Sequence, residues 1–250
     1  MRPTRSSPRP RSERDSGRLI AKKMELLFLH ALPLDGSMWA AQQRLLPGST
    51  HAPTLYPFGD SVEAWAAAAL KVATGDRLVV VGCSVGGSCA IELAIIAPER
   101  VAALVLIGTK AGHRPDPALH ASVLQTLEDK GLEEAWKIFW APLFSRSTDT
   151  RVIENARRTM LRQSPLTLAR GTTVFHTRPG REQFLAVFPR PVIVITGADD
   201  IALGVSKAQA DLAPRGQLHI IPECGHYAPL ERPETLNSIL EEVITTCSRE

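Results

Sequence analysis

The sequence predicts an α/β protein: a mostly parallel central sheet flanked by helices, with a helical insertion. Three observations carry this. Between Glu25 and Ile107, short and nearly continuous apolar runs alternate with helical patterns, and strands buried on both faces read as such unbroken runs. Between Thr109 and Pro189 the alternation stops and only helical patterns remain. From Pro191 onward strand character returns. At 250 residues, one domain with an insertion is favoured over two independent domains. Residues 24–110 and 190–250 are assigned to the core and 111–189 to a helical lid.

Hydrophobic residues make up 44% of the chain and aromatics only 5%, so the core is aliphatic. The net charge of +3 is unevenly placed: six Arg and two Lys against Glu13 and Asp15 put +6 in the first 23 residues, leaving −3 for the rest. That Arg-, Pro- and Ser-rich stretch has too little apolar area to offset its ordering entropy, so residues 1–23 are expected to form a disordered basic tail. It has no apolar segment of the secretion-signal kind, and it reads as a dispensable extension rather than a nucleic-acid-binding arm. No apolar run approaches the roughly 18 residues of a membrane span. No membrane or nucleic-acid partner is expected, and the cytoplasm is the default compartment. Cys83, Cys89, Cys224 and Cys247 form no Cys-x-x-Cys pair, so neither a zinc site nor a disulfide framework is expected. No cofactor site is read from the chain.

Taken in order, Glu25–His30 is an apolar strand ending in the loop His30-Ala31-Leu32-Pro33-Leu34-Asp35-Gly36. Met38–Leu46 reads as a short helix, His51–Leu55 as an edge strand, and Val62–Ala73 as an Ala-rich helix with Ser61 as its cap. Leu78–Val81 is a strand and Cys89–Ala94 lies in the helix that follows it, while Val101–Ile107 is the next strand. Helices are expected at about 118–129, 132–140, 149–162 and 165–174. Trp136, Phe139 and Trp140 are spaced to share a helical face. With Phe144 and Trp39 they are the candidate pocket residues, although docking of the lid would explain the stripe equally well. Pro191–Ile195 and Gln217–Ile221 are strands around a helix at Ser206–Leu212, and a last helix begins near Pro233.

The strand-to-helix junction Gly82-Cys83-Ser84-Val85-Gly86-Gly87 carries the chemistry. Gly-x-Ser-x-Gly between a strand and a helix is the setting of a nucleophile elbow. A phosphate loop does not fit, because neither Gly-Lys-[Ser/Thr] nor Gly-x-Gly-x-x-Gly is present. A serine hydroxyl needs a base, and the base needs an orienting partner. His226 follows a strand and Gly225 in a loop at a strand's carboxyl end, where a base facing Ser84 belongs. His30 reads as a loop-shaping residue and His219 as structural. Asp199 and Asp200 compete for the orienting role after the preceding strand, and Asp200 is chosen. Glu223 and Glu231 read as solvated surface or local salt bridges.

With these motifs in hand, the chain resembles the α/β-hydrolase superfamily over about Glu25 to Thr246, in the branch holding enol-lactonases, small esterases, cofactor-free haloperoxidases and C–C bond hydrolases. His30-Ala31-Leu32-Pro33, the Ser84 elbow, Gly197-Ala198-Asp199-Asp200, and Gly225-His226 through Glu231-Arg232-Pro233-Glu234 carry the likeness. The resemblance implies a Ser84–His226–Asp200 triad without a metal, with the backbone N–H groups of Leu32 and Val85 as the oxyanion hole. Ala31 stands where the family usually has Gly, and no opening hairpin precedes Glu25, so a sheet of fewer than eight strands is expected. Serine in the elbow argues against an alkyl-enzyme ester on Asp. The expected substrate is a small ester, lactone or thioester. C–C hydrolysis by the same triad and a non-enzymatic ligand-binding role remain as alternatives.

Overall fold

The computed structural model describes residues 23–249. Apart from Lys23, the expected basic tail lies outside the described residues. Six strands form one sheet in the order β2-β1-β3-β4-β5-β6, and every neighbouring pair is parallel. They are β1 (Met24–Leu29), β2 (Thr50–His51), β3 (Arg77–Cys83), β4 (Val101–Ile107), β5 (Val192–Gly197) and β6 (Gly216–Ile221). Because all six run the same way, the loops leaving β1, β3, β4, β5 and β6 gather at one edge. In an open α/β sheet that edge is where ligands bind.

Successive side chains of a strand point to opposite faces, and the core divides accordingly. Leu26, Phe28, Val79, Val81, Val105 and Ile195 belong to one apolar layer with Trp39, Tyr227 and Leu240. Leu27, Leu29, Val80, Leu104, Leu106 and Val194 belong to the other, under α1 (Val62–Val72) and α2 (Val85–Ile96). The two helices share the second face, and ten consecutive residues of α2, Val85 to Ala94, are buried. Ser61 caps α1 by accepting from the Ala64 N–H at 3.1 Å, as its position in the sequence predicts.

Two expected elements are shorter. The helix predicted at Met38–Leu46 is instead a pair of 3₁₀ turns, Gly36–Trp39 and Gln43–Leu45. Bonds run three residues back, from Gln42 N–H to Trp39 C=O and from Leu45 N–H to Gln42 C=O. That spacing lines up Trp39 and Gln42, both fully buried, along one edge of the turn. The strand predicted at His51–Leu55 stops after His51. Pro53 has no N–H to continue the ladder, and the Leu55 N–H is taken by His30 Nε2 at 2.8 Å.

Between β4 and β5 lie α3 (Pro117–Asp129), α4 (Gly131–Ala135), α5 (Thr150–Leu161), α6 (Pro165–Thr177) and the unpredicted α7 (Glu182–Leu185). The helix expected over 132–140 changes into a π-helical turn at Trp136–Trp140. The chain closes with α8 (Leu203–Leu212) between β5 and β6, then α9 (Ala228–Glu231) and α10 (Pro233–Arg249). No helix among the described residues is long and apolar enough to cross a membrane.

At the opposite end of the sheet, Glu25 has a side chain with no solvent exposure, yet it is ionised. Burial favours the neutral form, but Lys23, the Gly75 N–H and His51 outweigh this and hold the carboxyl at about 2. Its folded pKa lies below the unfolded value of about 4.3, so this stability is present above that value and is lost as pH falls toward 2. Glu25→Gln is therefore expected to lower stability by about 2 kcal/mol at pH 7 and by little at pH 2 and below. Urea melts of both proteins across that range are the check.

Candidate active site

Ser84 sits between β3 and α2 with φ 55 and ψ −120, a left-handed backbone that non-glycine residues rarely adopt. Strain of this kind costs on the order of 1–3 kcal/mol and persists only where the surroundings enforce it. Two glycines do so here. A Cβ on Gly82 would strike the Gly86 carbonyl, and one on Gly86 would strike the Leu29 carbonyl. The Ser84 N–H donates to Ile107 C=O at 2.8 Å, tying the turn to β4. Its side chain does not cap α2. The hydroxyl is thus left facing a cavity, and the N–H of Val85 belongs to the first helical turn, where donors have no partner within the helix.

Asp200 and His226 meet on the same edge. His226 Nδ1 lies 2.9 Å from Asp200 Oδ1. The carboxylate can only accept, so Nδ1 carries the proton and Nε2 keeps its lone pair. Burial alone would raise the Asp200 carboxyl. The hydrogen bond and charge of His226, the Ala202 N–H at 2.9 Å and the Thr196 hydroxyl outweigh it and keep the group below its ordinary value. Asp199, by contrast, is exposed and accepts from Ser145 Oγ at 2.5 Å. Gly108, the first residue after β4, has φ 55, and a Cβ there would come within 2.7 Å of Asp200 Oδ2 and 2.8 Å of His226 Nδ1.

The loop bearing His226 is held by a residue that the sequence reads as solvated surface or a local salt bridge. Glu231 is 6% exposed. Its carboxylate accepts from the N–H groups of Gly225 and Tyr227, on either side of His226, each at 2.9 Å. It also accepts from Ser145 N–H and from Thr148 Oγ1. Four donors compensate its desolvation. Tyr227 Oη in turn donates to Leu32 C=O at 3.0 Å, linking the base loop to the loop after β1. The only trace of this in the sequence is the placing of Glu231 five residues after His226. Glu231→Gln replaces an acceptor by a group that is half donor, and is expected to lower the melting temperature and to cut kcat by about tenfold or more through misplacement of His226. Paired melting and kinetic measurements on the variant check this.

His30 does shape its loop: Nδ1 donates to Ala31 C=O, Nε2 accepts from Leu55 N–H, and burial pulls the ring down to about 4, so it stays neutral. Burial also raises the thiols beside the site, Cys83 well above its usual value and Cys224 to about 12, which keeps both protonated.

Ser84, His226 and Leu32 open onto a cavity of about 810 Å³. Of the five aromatic candidates, Phe139 and Trp140 line it. Trp39, Trp136 and Phe144 do not. Trp39 is fully buried and stacks on Phe28 at 4.8 Å between ring centres. Phe144 packs on Tyr227 at 4.7 Å, with Trp136 behind it at 6.0 Å. A π-helical turn runs from Trp136 to Trp140; Trp136, Trp140 and Phe144 all belong to the first core layer, and Trp140 reaches the cavity as well. Several lining residues had no signal in the sequence: Lys110, His113, His176, Arg178, Ile201, Val205 and Gln209.

Comparison with known proteins agrees with this geometry. A family model described as the alpha/beta hydrolase family matches residues 26–239. Pimeloyl-[acyl-carrier protein] methyl ester esterase of Aromatoleum aromaticum is 30% identical, over 88% of this chain and 98% of that protein. 2-Hydroxymuconate semialdehyde hydrolase of Pseudomonas putida is also 30% identical, but the match spans 70% of this chain and only 64% of that protein's length. Among solved structures, a thermophilic esterase from Thermogutta terrifontis superposes with a TM-score of 0.81 at 25% identity, covering 91% of this chain and 92% of that one. With the family model spanning nearly the whole sheet, the chain belongs to the alpha/beta hydrolase family.

Proposed function

We propose that this protein is a serine hydrolase that cleaves a small carboxylic ester, lactone or thioester through an acyl-enzyme on Ser84. The observation that carries the reading is the meeting of the strained Ser84 elbow and the Asp200–His226 pair, 2.9 Å apart, on one cavity at the carboxyl edge of the sheet. Ser84 Oγ attacks the carbonyl carbon while His226 Nε2 takes its proton. Asp200 holds the ring and stabilises the imidazolium. The N–H groups of Val85 and Leu32 donate to the developing oxyanion, each donor worth about 3–4 kcal/mol in the transition state. The leaving alcohol or thiol departs with the proton from His226, and water, deprotonated by the same nitrogen, releases the acid.

The segment from α3 to α7 serves as the lid. Val123, Phe139, Trp140 and Phe175 from it wall the cavity opposite the sheet, excluding water and shaping the acyl pocket. The relative matched over nearly its full length is named as a methyl ester esterase, which favours ester over C–C cleavage. Multiple turnover of p-nitrophenyl butyrate is the expected result. Stoichiometric labelling by a fluorophosphonate without turnover would instead place the protein among ligand-binding members of the fold.

A further inference from the structure

Arg178, just beyond α6, lines the same cavity and has no role in the chemistry above. It is 5% exposed. Among the described residues no carboxylate forms an ion pair with it. Its contacts are a hydrogen bond from Nη1 to Phe175 C=O and the Phe175 ring, 4.0 Å from the guanidinium carbon. Burial lowers the group to about 10, so it remains cationic at neutral pH. A guanidinium has five N–H donors, and one protein acceptor is present. A buried cation without a counter-charge is costly, and here its free donors border a cavity large enough for a substrate.

The surroundings do not supply the missing anion. Asp116 and Glu182 reach the cavity, but both are exposed to solvent, and Asp116 is occupied in capping α3 through the Leu119 N–H. The neighbouring rings add donors without adding negative charge. His176 stacks on His120 at 4.8 Å between centres, and burial together with the charges of His120 and Arg178 brings it down to about 4. His113 is lowered too, first by burial and then by Arg178. Lys110 and Arg114 add two further cations to the lining.

We infer that Arg178 is the recognition group for a carboxylate carried by the substrate away from the bond that is cleaved, so that the preferred substrates are esters of acids bearing a second, free carboxylate. This rests on the hydrolase reading for the acyl chemistry and extends it to substrate class. A carboxylate suits the site, because the planar fork of a guanidinium matches a carboxylate's two oxygens, and Arg178 is the buried cation of the lining, while Lys110 is half-buried and Arg114 exposed. The second wall of the cavity, Leu32, Val123 and Phe139, then receives the intervening methylene chain.

Equilibrium binding tests this without turnover. Ser84→Ala protein is titrated calorimetrically with the monomethyl esters of succinate, glutarate and adipate and with the matching neutral dimethyl esters. At least one monoester is expected to bind about 10- to 100-fold more tightly than its diester, the range of a charge-assisted hydrogen-bonded pair. Adding Arg178→Gln should bring that ratio near one, and Arg178→Lys should restore part of it. Equal binding of monoesters and diesters, binding of no monoester, or a ratio unchanged by Arg178→Gln would overturn the inference. If the glutamine variant does not fold, the parent's ratio and the lysine variant decide. Turnover of p-nitrophenyl butyrate by the unmutated protein is measured alongside. Its absence with the ratio intact would strike the hydrolase reading and leave the carboxylate site standing.

Discussion

Ser84→Ala is expected to lower kcat by about 10⁵- to 10⁶-fold while leaving the fold intact. In the proposed mechanism the hydroxyl supplies the bond-forming atom, and water has no positioned substitute at the elbow, so a large loss is expected. The fold survives because alanine keeps the Cβ that already occupies the left-handed backbone at φ 55. The strain is the same in both proteins, and the Ser84 side chain makes no capping bond whose loss would loosen α2. A melting temperature within about 2 °C of the parent's, below the shift that 1 kcal/mol produces in a chain of this size, and progress curves at the uncatalysed rate are the readings that check it. Residual activity within a hundredfold of the parent would require another nucleophile.

The second large effect is at Asp200. Asp200→Asn is expected to cost about 10⁴-fold in kcat. The carboxylate accepts from His226 Nδ1–H at 2.9 Å while Ala202 N–H and Thr196 fix its other contacts. An asparagine in that place can turn its amide toward the ring and donate to Nδ1. The proton then moves to Nε2, the nitrogen that receives the Ser84 proton in the proposed mechanism, and the charge proposed to stabilise the imidazolium is gone. Asp199→Asn should fall within about threefold of the parent, because Asp199 is exposed and bonded to Ser145, and exposed substitutions of this kind have small effects. Steady-state kinetics on both variants separates the two carboxylates, and the reverse ranking would transfer the orienting role to Asp199.

How far the sequence carries toward this picture depends on how local the determining forces are. The sheet is legible because strands covered on both faces must be continuously apolar, as Val79-Val80-Val81 and Val101–Ile107 are. The elbow is legible because Gly82 and Gly86 stand where any Cβ would meet a carbonyl. Choosing Asp200 over its neighbour is less local: in space the two differ by burial and by the Ala202 and His226 contacts. Glu231 is illegible for the same reason. Its charge looks like surface until donors from residues 145, 148, 225 and 227 converge on it. Spacing alone does not separate docking from pocket lining in the aromatic stripe: Phe139 and Trp140 line the cavity, while Phe144 packs on Tyr227 with Trp136 at 6.0 Å. Trp39 follows the 3₁₀ turn inward against Phe28. Arg178 gives no signal in one dimension, since what sets it apart is the absence, among the described residues, of an ion-pair partner around a buried charge.

The identity of the nucleophile is open to direct measurement. Treating the protein with diethyl p-nitrophenyl phosphate and mapping the adduct by peptide mass spectrometry measures it. One diethylphosphoryl group per chain on Ser84, formed at a rate that drops steeply in Asp200→Asn and hardly in Asp199→Asn, is the predicted result. Stoichiometric modification of any other residue, or labelling of Ser84 at a rate indifferent to Asp200, would contradict it.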